Sequence, residues 1–296
     1  GIMQAVGDSR HPLYYLIISS VTNVCLDLLF IGVFRMGVDG AALATILAQF
    51  LSAALCLRRL FRTKGDHRLV LREIRPDREM LRLILRYGLP SGFQNSVIGF
   101  ANVVVQSNIN AFGELAMSGC GAYAKVEGFA FLPITSFTSA ITTFVGQNLG
   151  AEEFDRAKKG ARFGILCSLL IAEGIGVITY VFSPVFIGAF CDSQEAIAFG
   201  VDKAHICALF FCLLAATHCL SAVLRGAGRA MVPMVVMLSV WCVLRVSILW
   251  IAVPITQSIN TVNWVYPITW SISTVVLLIY YRKSDWLHSF QREKAK

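Results

Sequence analysis

Long apolar segments alternate with short polar segments over nearly the whole chain. Several apolar segments contain no Asp, Glu, Lys or Arg, among them residues 40–57, 87–113, 128–151 and 204–224. A helix needs about 20 mostly apolar residues to cross the hydrocarbon core of a bilayer. Because these segments reach or approach that length, the pattern predicts an all-α polytopic membrane protein surrounded by lipid.

The alternation predicts eight transmembrane helices. Their expected bounds are residues 12–34, 40–60, 87–112, 122–146, 162–190, 203–224, 232–253 and 263–281. The one sizeable hydrophilic connection, residues 61–86, interleaves basic and acidic residues. That composition is typical of a solvated amphipathic helix, so we expect a linker helix between two bundles.

The placement of charge supports this count and orients the helices. Charged residues make up 15% of the chain, against about 25% in ordinary soluble domains, which excludes a soluble globular protein. If the helices cross the membrane in turn, 22 of the 26 Lys and Arg residues fall on one side. Positive residues collect in cytoplasmic loops. We therefore expect a plasma-membrane protein with a cytoplasmic linker and C-terminus, and no nucleic-acid partner for its net charge of +8.

The residue types that carry catalysis or bind metals form no recognisable pattern. The nine cysteines lie mostly inside apolar segments, without a CxxC pair or a His at zinc-ligand spacing. They are expected to pack as small apolar side chains, so no metal and no cofactor is predicted. An intramembrane enzyme would need a motif such as HExxH or GxSxG, and the sequence contains neither. The sequence favours a transporter, with an intramembrane enzyme as a minor alternative.

An internal repeat predicts the domain organisation. Residues 3–13 align without gaps on residues 224–234, and each copy has a Gly (Gly7, Gly228) followed five residues later by a Pro (Pro12, Pro233). Proline is tolerated in the first turn of a helix, where its missing N–H does no harm. Six predicted helices separate the copies, so both copies cross the membrane in the same direction, as in transporters built from two parallel six-helix halves.

This repeat assigns four parts to the chain. Residues 1–60 would be the last two helices of an N-terminal lobe, 61–86 a cytoplasmic linker helix, 87–282 a six-helix C-terminal lobe and 283–296 a cytoplasmic tail. If each lobe has six helices, about four further helices are expected before Gly1.

Several short motifs then carry a family resemblance. They are residues 5–12 (AVGDSRHP), residues 36–45 (MGVDGAALAT), the pairs Leu89-Pro90 and Leu132-Pro133, residues 145–151 (VGQNLGA) and residues 224–228 (LRGAG). In this order and at these spacings, the sequence resembles the multidrug and toxic compound extrusion (MATE) family over essentially its whole length. The resemblance implies a monomeric twelve-helix antiporter that exports small organic compounds, mostly cationic, in exchange for H⁺ or Na⁺.

The sequence departs from the family at its sodium site. Sodium-coupled members carry a carboxylate in the first and in the fourth helix of the second lobe. Here the first of these helices has no acid, and Leu213 and Leu214 occupy the corresponding region of the fourth. The resemblance therefore leaves the coupling ion open. A lipid-linked oligosaccharide flippase of related architecture is the alternative, although it would be expected to have a more cationic central cavity.

Ionisable residues within spans are the first functional candidates, because unpaired charge in a bilayer costs several kcal/mol. Asp27 continues a polar stripe of Ser19 and Asn23 at a spacing of four, which indicates either a proton or cation site or a hydrogen-bonded packing stripe. Glu127 is the second candidate for ion or proton coupling. Glu173 and Arg245 are expected to neutralise each other.

The helix predicted at 87–112 carries a polar face without charge. At 100° per residue Ser91, Asn95, Asn102, Gln106 and Asn110 fall within one arc, so they are expected to line the substrate path or to hydrogen-bond between helices. Asn23 joins this expected path. Ten further residues are expected to form turns, helix ends or kinks: Gly7, Pro12, Pro133, Gly146, Gln147, Asn148, Gly150, Gly226, Gly228 and Pro233.

Overall fold

The computed structural model describes residues 1–65 and 68–288, and the regular structure within these residues is entirely helical. The chain divides into two compact units, Gly1–Arg78 and Glu79–Lys296. The division falls inside the connection that the sequence analysis placed between two bundles.

The first unit contains a short helix and a pair of long ones. They are α1 (Ile2–Ala5), α2 (Arg10–Asp27) and α3 (Gly37–Arg62), and a π-helical segment, Leu28–Val33, extends α2. The long helices pack against each other through small residues, with Ala44 and Ala48 of α3 buried. The Ser19 hydroxyl donates a hydrogen bond to the carbonyl oxygen of Ala48 at 2.7 Å, which ties α2 to α3.

The second unit is a bundle of six long helical rods. Its elements are α4 (Arg78–Asn110), α5 (Glu114–Gly150), α6 (Phe154–Gly188), α7 (Gln194–Cys207), α8 (Phe211–Gly226), α9 (Met231–Met237), α10 (Arg245–Thr256) and α11 (Ile259–Lys283). A 3₁₀ segment, Ala208–Phe210, joins α7 to α8, and a π-helical segment, Leu238–Leu244, joins α9 to α10. π-Helical segments are rare and are frequent at functional sites.

The prediction of an all-α polytopic membrane protein is confirmed. Seven helices among the described residues are long and apolar enough to cross a membrane, and they coincide with seven of the eight predicted spans. The eighth predicted span, 87–112, lies within α4, which is not among the seven. Six amide side chains between Gln94 and Asn110 lower the hydropathy of this helix, although it contains no charged residue beyond Arg86.

The connection between the units differs from the single linker helix expected at 61–86. Helix α3 ends at Arg62, Leu71–Glu73 form one 3₁₀ turn, and α4 begins at Arg78; Asp66 and His67 lie outside the described residues. Pro76 accounts for the break, because a proline disfavours the helical conformation of the residue before it and favours the start of a helix after it. Residues 78–86 therefore belong to α4.

The interior of the bundle is packed around α5. At one point, Gly119 of α5 lies against Ala196 and Gly200 of α7, where a Cβ on Gly119 would overlap the Ala196 carbonyl oxygen. Gly176 of α6 approaches the carbonyl of Ala208 in the same way. Small residues that bring backbones together are the usual means of helix association in membranes, where lipid tails provide little hydrophobic driving force.

The residues expected at turns lie at helix ends and close contacts. Gly7 and Gly228 adopt φ values of +85° and +77°, the left-handed region that favours glycine. Pro12 and Pro233 each occupy the third position of a helix, α2 and α9. Gly226 is the last residue of α8, and a Cβ there would lie 2.7 Å from the Thr142 carbonyl oxygen of α5.

The remaining turn residues belong to α5. Pro133 lies inside the helix, and the hydroxyls of Thr135 and Ser136 both donate to the Leu132 carbonyl oxygen, at 2.8 and 3.0 Å. Such hydroxyls satisfy carbonyls near a proline. The segment that was expected to end the helix does so, with Gly146, Gln147, Asn148 and Gly150 forming its last turn before Ala151. Within that turn, the Asn148 side-chain amide donates to the Phe144 carbonyl at 2.8 Å.

Candidate functional site

Charged and aromatic side chains meet inside the second unit, in the half where α5, α7 and α11 begin. Helix α5 contributes Tyr123 and Glu127, and α7 contributes Lys203 and Cys207. A spacing of four residues places both members of each pair on one helix face. These two faces therefore project their polar groups toward the same part of the bundle.

The other two contributing elements follow in the chain. The π-helical segment Leu238–Leu244 carries Trp241, and Arg245 follows it at the first position of α10. Helix α11 contributes Asn263, Tyr266 and Thr269, spaced by one turn each. We call the set Tyr123, Glu127, Lys203, Trp241, Arg245, Asn263 and Tyr266 the basic cluster.

Lys203 lies at the centre of the basic cluster. Its residue is only 4% exposed, and its ammonium nitrogen is 5.5 Å from the ring centroid of Tyr123 and 4.9 Å from that of Tyr266. Both distances lie within the range of cation–π attraction. Lys203 also interacts electrostatically with Glu127, yet no carboxylate among the described residues lies within ion-pair distance of it. Aromatic faces therefore supply its nearest stabilising contacts.

Arg245 is the second cation of the basic cluster and is 1% exposed. Its guanidinium carbon lies 4.9 Å from the Trp241 ring and 4.7 Å from the Tyr266 ring. One terminal nitrogen donates to the Thr269 hydroxyl at 2.7 Å. The Nε donor is buried and has no hydrogen-bond partner among the described residues. The rings of Trp241 and Tyr266 and the hydroxyl of Thr269 thus hold Arg245 in position, and its Nε donor remains available to a ligand.

The cluster has more positive than negative charge. Glu127, which is partly exposed, is the acid that interacts electrostatically with both Lys203 and Arg245. The buried amide of Asn263 adds a donor and an acceptor, and neither has a partner within the described residues. Buried polar groups are normally hydrogen-bonded, so these orphan groups mark the basic cluster as unusual within the bundle.

The expected pair of Glu173 and Arg245 is wrong. Glu173 accepts a hydrogen bond from the backbone N–H of Cys212 at 3.2 Å, where the 3₁₀ segment gives way to α8. A 3₁₀ break leaves N–H groups without the usual helical partner. The Glu173 carboxylate therefore accepts from a nearby backbone donor, while Arg245 contacts the rings of Trp241 and Tyr266.

The first unit contains the other coupling candidate. Asn23 donates weakly to the Thr45 hydroxyl at 3.5 Å. One carboxylate oxygen of Asp27, Oδ1, is buried without a hydrogen-bond partner among the described residues. Asp27 is the last residue of α2 before the π-helical segment begins. Ser19 and Asn23 of this stripe therefore hydrogen-bond to α3, whereas the buried Oδ1 of Asp27 has no partner among the described residues.

The amide face of α4 does not point into the second unit. Asn95, Asn102, Gln106 and Asn110 are exposed, and Gln106 donates to Asn110 at 2.8 Å. The buried face of α4 carries Gln94, Ala101, Val105 and Ile109 instead. The four amides of the predicted face therefore lie on the exposed side of α4, outside the bundle core. One further amide, Gln94, is buried, although the sequence pattern did not single it out.

Lys203 and Arg245 are the functional candidates that the sequence analysis missed. Lys203 is the first residue of the span predicted at 203–224, whereas α7 begins at Gln194 and places Lys203 well inside the helix. Arg245 lies within a predicted span, but its expected partner is wrong. The available signal for Arg245 was the spacing of four in Trp241–Arg245, which places one of its ring contacts on its own helix face.

Comparison with known proteins agrees with this architecture. Residues 90–251 match the MatE family model. The chain is 29% identical over 289 residues to the probable multidrug resistance protein YoeA of Bacillus subtilis, covering 95% of this chain and 62% of YoeA. It is 30% identical over 251 residues to the probable multidrug resistance protein NorM of Thermotoga maritima, covering 81% of this chain and 53% of NorM.

A solved structure is similar as well. The outward-facing structure of a multidrug resistance MATE family transporter superposes with a TM-score of 0.86 at 23% identity, covering 93% of this chain and 62% of that one. The chain thus spans between half and two thirds of the length of these three proteins. Because the family model covers more than half of the chain, the protein belongs to the MatE family.

Proposed function

We propose that this protein is a secondary active antiporter that exports small organic compounds, mostly cationic, in exchange for H⁺. The observation that carries the proposal is the family match over residues 90–251. The presence of carboxylates within two candidate spans, Asp27 and Glu127, supports it. At Asp27, which lies in the first unit and outside the basic cluster, a carboxylate that binds either a proton or an organic cation would couple the two fluxes, because each excludes the other.

The surroundings of Glu127 favour H⁺ over Na⁺ as the coupling ion. Sodium is a hard cation and needs several oxygen ligands, yet Glu127 interacts with two positive side chains, Lys203 and Arg245. These charges repel a metal cation. Proton exchange at Glu127 or Asp27 requires no such set of ligands.

The substrate path is proposed along the exposed amides of α4. Asn95, Asn102, Gln106 and Asn110 offer hydrogen-bond donors and acceptors without charge. Such a surface suits organic compounds of varied shape. Contact of a substrate with Asn23, in the first unit, stays a separate prediction. A cationic substrate would stay clear of the basic cluster, which repels it.

The protein is proposed to lie in the plasma membrane with its basic loops in the cytoplasm. At one end of the second unit, Arg229 donates to the Tyr280 hydroxyl at 2.9 Å and to the Asp285 carbonyl at 3.1 Å. The rings of Phe154 and His288 also meet there, at 4.9 Å. The basic segments around Arg156, Arg229 and Arg282 thus share one end, which agrees with the charge bias.

Cysteine labelling tests this orientation. In a cysteine-free background, Asp192→Cys in the connection between α6 and α7 should react in intact cells with a membrane-impermeant maleimide. Lys64→Cys, just after α3, should react only after the membrane is permeabilised. The two positions are both exposed, so accessibility to solvent is matched. The reverse pattern would invert the proposed topology.

Transport assays test the coupling ion. In proteoliposomes, the protein should drive export of a fluorescent organic cation when a pH gradient is imposed, and an equal Na⁺ gradient without a pH gradient should give no more than the leak rate. Empty liposomes and a protonophore provide the controls. Export that follows the Na⁺ gradient alone would contradict proton coupling.

One observation favours the alternative of a lipid-linked oligosaccharide flippase, namely the pair of buried cations Lys203 and Arg245. Such a substrate carries an anionic diphosphate. The two functions separate in the same liposomes, because a flippase would translocate a labelled lipid diphosphate without either ion gradient and would leave the organic cation where it was.

A further inference from the structure

Several polar atoms of the basic cluster are buried and have no hydrogen-bond partner among the described residues. They are the donors Arg245 Nε and Asn263 Nδ2, the acceptor Asn263 Oδ1, and the Tyr123 hydroxyl, which can donate or accept. The Lys203 ammonium has aromatic rings as its nearest contacts. Donors left unpaired in an apolar interior cost free energy. An acceptor placed among them would recover that cost.

The donors lie close to one another. Both cations contact the same ring: the Lys203 nitrogen is 4.9 Å and the Arg245 guanidinium carbon 4.7 Å from the centroid of Tyr266. Their separation therefore cannot exceed the sum of these two distances. Asn263 stands one turn before Tyr266 on α11, and its backbone carbonyl accepts from Cys207, which is one turn from Lys203. Lys203 and Arg245 thus share the Tyr266 ring, and Asn263 lies one helical turn from that ring.

The balance of charge in the basic cluster also favours an anion there. Within the part of the chain that the structure describes, Glu127 is the carboxylate that interacts electrostatically with both buried cations, and its side chain is partly exposed while theirs are not. An excess positive charge in a low-dielectric interior attracts an anion strongly, because little solvent screens it. The rings of Trp241 and Tyr266 lie 4.9 and 4.7 Å from the guanidinium carbon, and neither ring offers a hydrogen-bond acceptor comparable to an anion.

We propose that the basic cluster binds a small monovalent anion, either a halide or the carboxylate group of an organic compound, between Lys203, Arg245 and Asn263. The guanidinium and amide donate hydrogen bonds to it, as is usual for anion recognition by arginine. Glu127 opposes the anion by charge, so protonation of Glu127 and binding of the anion should favour each other. This site goes beyond the proposed function, because it is defined by equilibrium binding and requires no transport.

The intrinsic tryptophan fluorescence of the purified protein in detergent gives a direct measurement, since Trp241 belongs to the cluster. We expect a saturable change on titration with sodium chloride or sodium benzoate at constant ionic strength, with a bulky sulfonate as the balancing anion. Saturation by chloride identifies the halide, whereas saturation by benzoate alone identifies an organic carboxylate. A linear response to both salts would overturn the proposal.

Three substitutions distinguish an anion site from a closed structural cluster. Lys203→Gln and Arg245→Gln should each weaken binding by about tenfold or more, because each removes a charge that faces the anion. Glu127→Gln should tighten binding by about threefold or more, because it removes the opposing charge. Lys125→Gln is the matched control: this exposed lysine contacts Phe190 and lies outside the cluster, so binding should not change.

The direction in which Glu127→Gln changes the affinity for the anion distinguishes an anion site from a closed structural cluster. If the cluster were only a self-contained ion network, Glu127→Gln would destabilise the protein and give no gain in affinity, and that result would contradict the proposal. Gel filtration and the unfolding midpoint without anion establish that each variant is folded. Should Arg245→Gln fail to fold, Lys203→Gln and Glu127→Gln still give opposite expected changes. If the unsubstituted protein binds neither anion but exports the organic cation, this site alone is refuted; if it binds an anion but exports no cation, the antiporter alone is refuted.

Discussion

Replacement of Gly119 by alanine is expected to lower the stability of the bundle markedly. A Cβ at this position would overlap the carbonyl oxygen of Ala196 and would lie 3.0 Å from the backbone nitrogen of Gly200. Backbone atoms cannot move aside as a flexible side chain can, so α5 and α7 must separate. Overpacking of this kind costs about 1–3 kcal/mol, and more where backbone is involved.

The same helix provides a matched control for this prediction. Gly121 lies two residues further along α5 and has no heavy atom near its would-be Cβ. Gly121→Ala should therefore be neutral or should stabilise the helix by up to about 1 kcal/mol through better helix propensity. The measurement is the thermal unfolding midpoint in detergent by size-exclusion recovery. Equal midpoints for the two variants would show that α5 and α7 do not pack as closely as described.

The second large effect is expected from Asp27→Asn, which should reduce gradient-driven export of an organic cation by about tenfold or more. An amide has nearly the shape of a carboxylate and keeps hydrogen-bonding capacity, so insertion and folding should be unaffected. It cannot take up or release a proton at working pH. Because Oδ1 of Asp27 is buried without a partner among the described residues, no local contact needs the negative charge for structure.

Asp39→Asn is the matched control. Asp39 lies in the first turn of α3 in the same unit, and its residue is exposed. The chemical change is identical, yet export per molecule in the membrane should equal that of the unsubstituted protein. Undiminished, fully gradient-dependent export by Asp27→Asn would make Asp27 a packing residue, and Glu127 would become the leading coupling carboxylate.

Most of the fold could be predicted because the bilayer restricts what a chain can do. Backbone polar groups have no water to bond with inside the hydrocarbon core, so apolar segments of sufficient length must be helical. This is why residues 40–60 appear in α3 and residues 263–281 in α11 with only small shifts at the ends. The predicted bounds differ most from the structure at amphipathic helix ends, where the hydropathy falls while the helix continues. The starts of α5 at Glu114 and of α7 at Gln194 are examples.

The candidate site could be predicted only in part. An acid within an apolar segment can be recognised from the sequence alone, so Glu127 is a candidate at that level. Lys203 cannot be recognised in this way, because it stands beside other polar residues at the edge of its apolar segment. For Arg245 the error lay in the choice of partner. Two opposite charges on different helices suggest a pair, yet Glu173 bonds to the backbone N–H of Cys212.

The sequence by itself determined the class of protein, the positions of the spans, the family motifs and the turns at Gly7 and Gly228, because each of these depends on local composition or on the conformational freedom of single residues. Only the tertiary structure decided which polar side chains meet. The contact of Lys203 and Arg245 with one ring, Tyr266, joins residues on three helices. Such a contact depends on helix rotation and on the close approach at Gly119, and neither leaves a periodic signal along the chain.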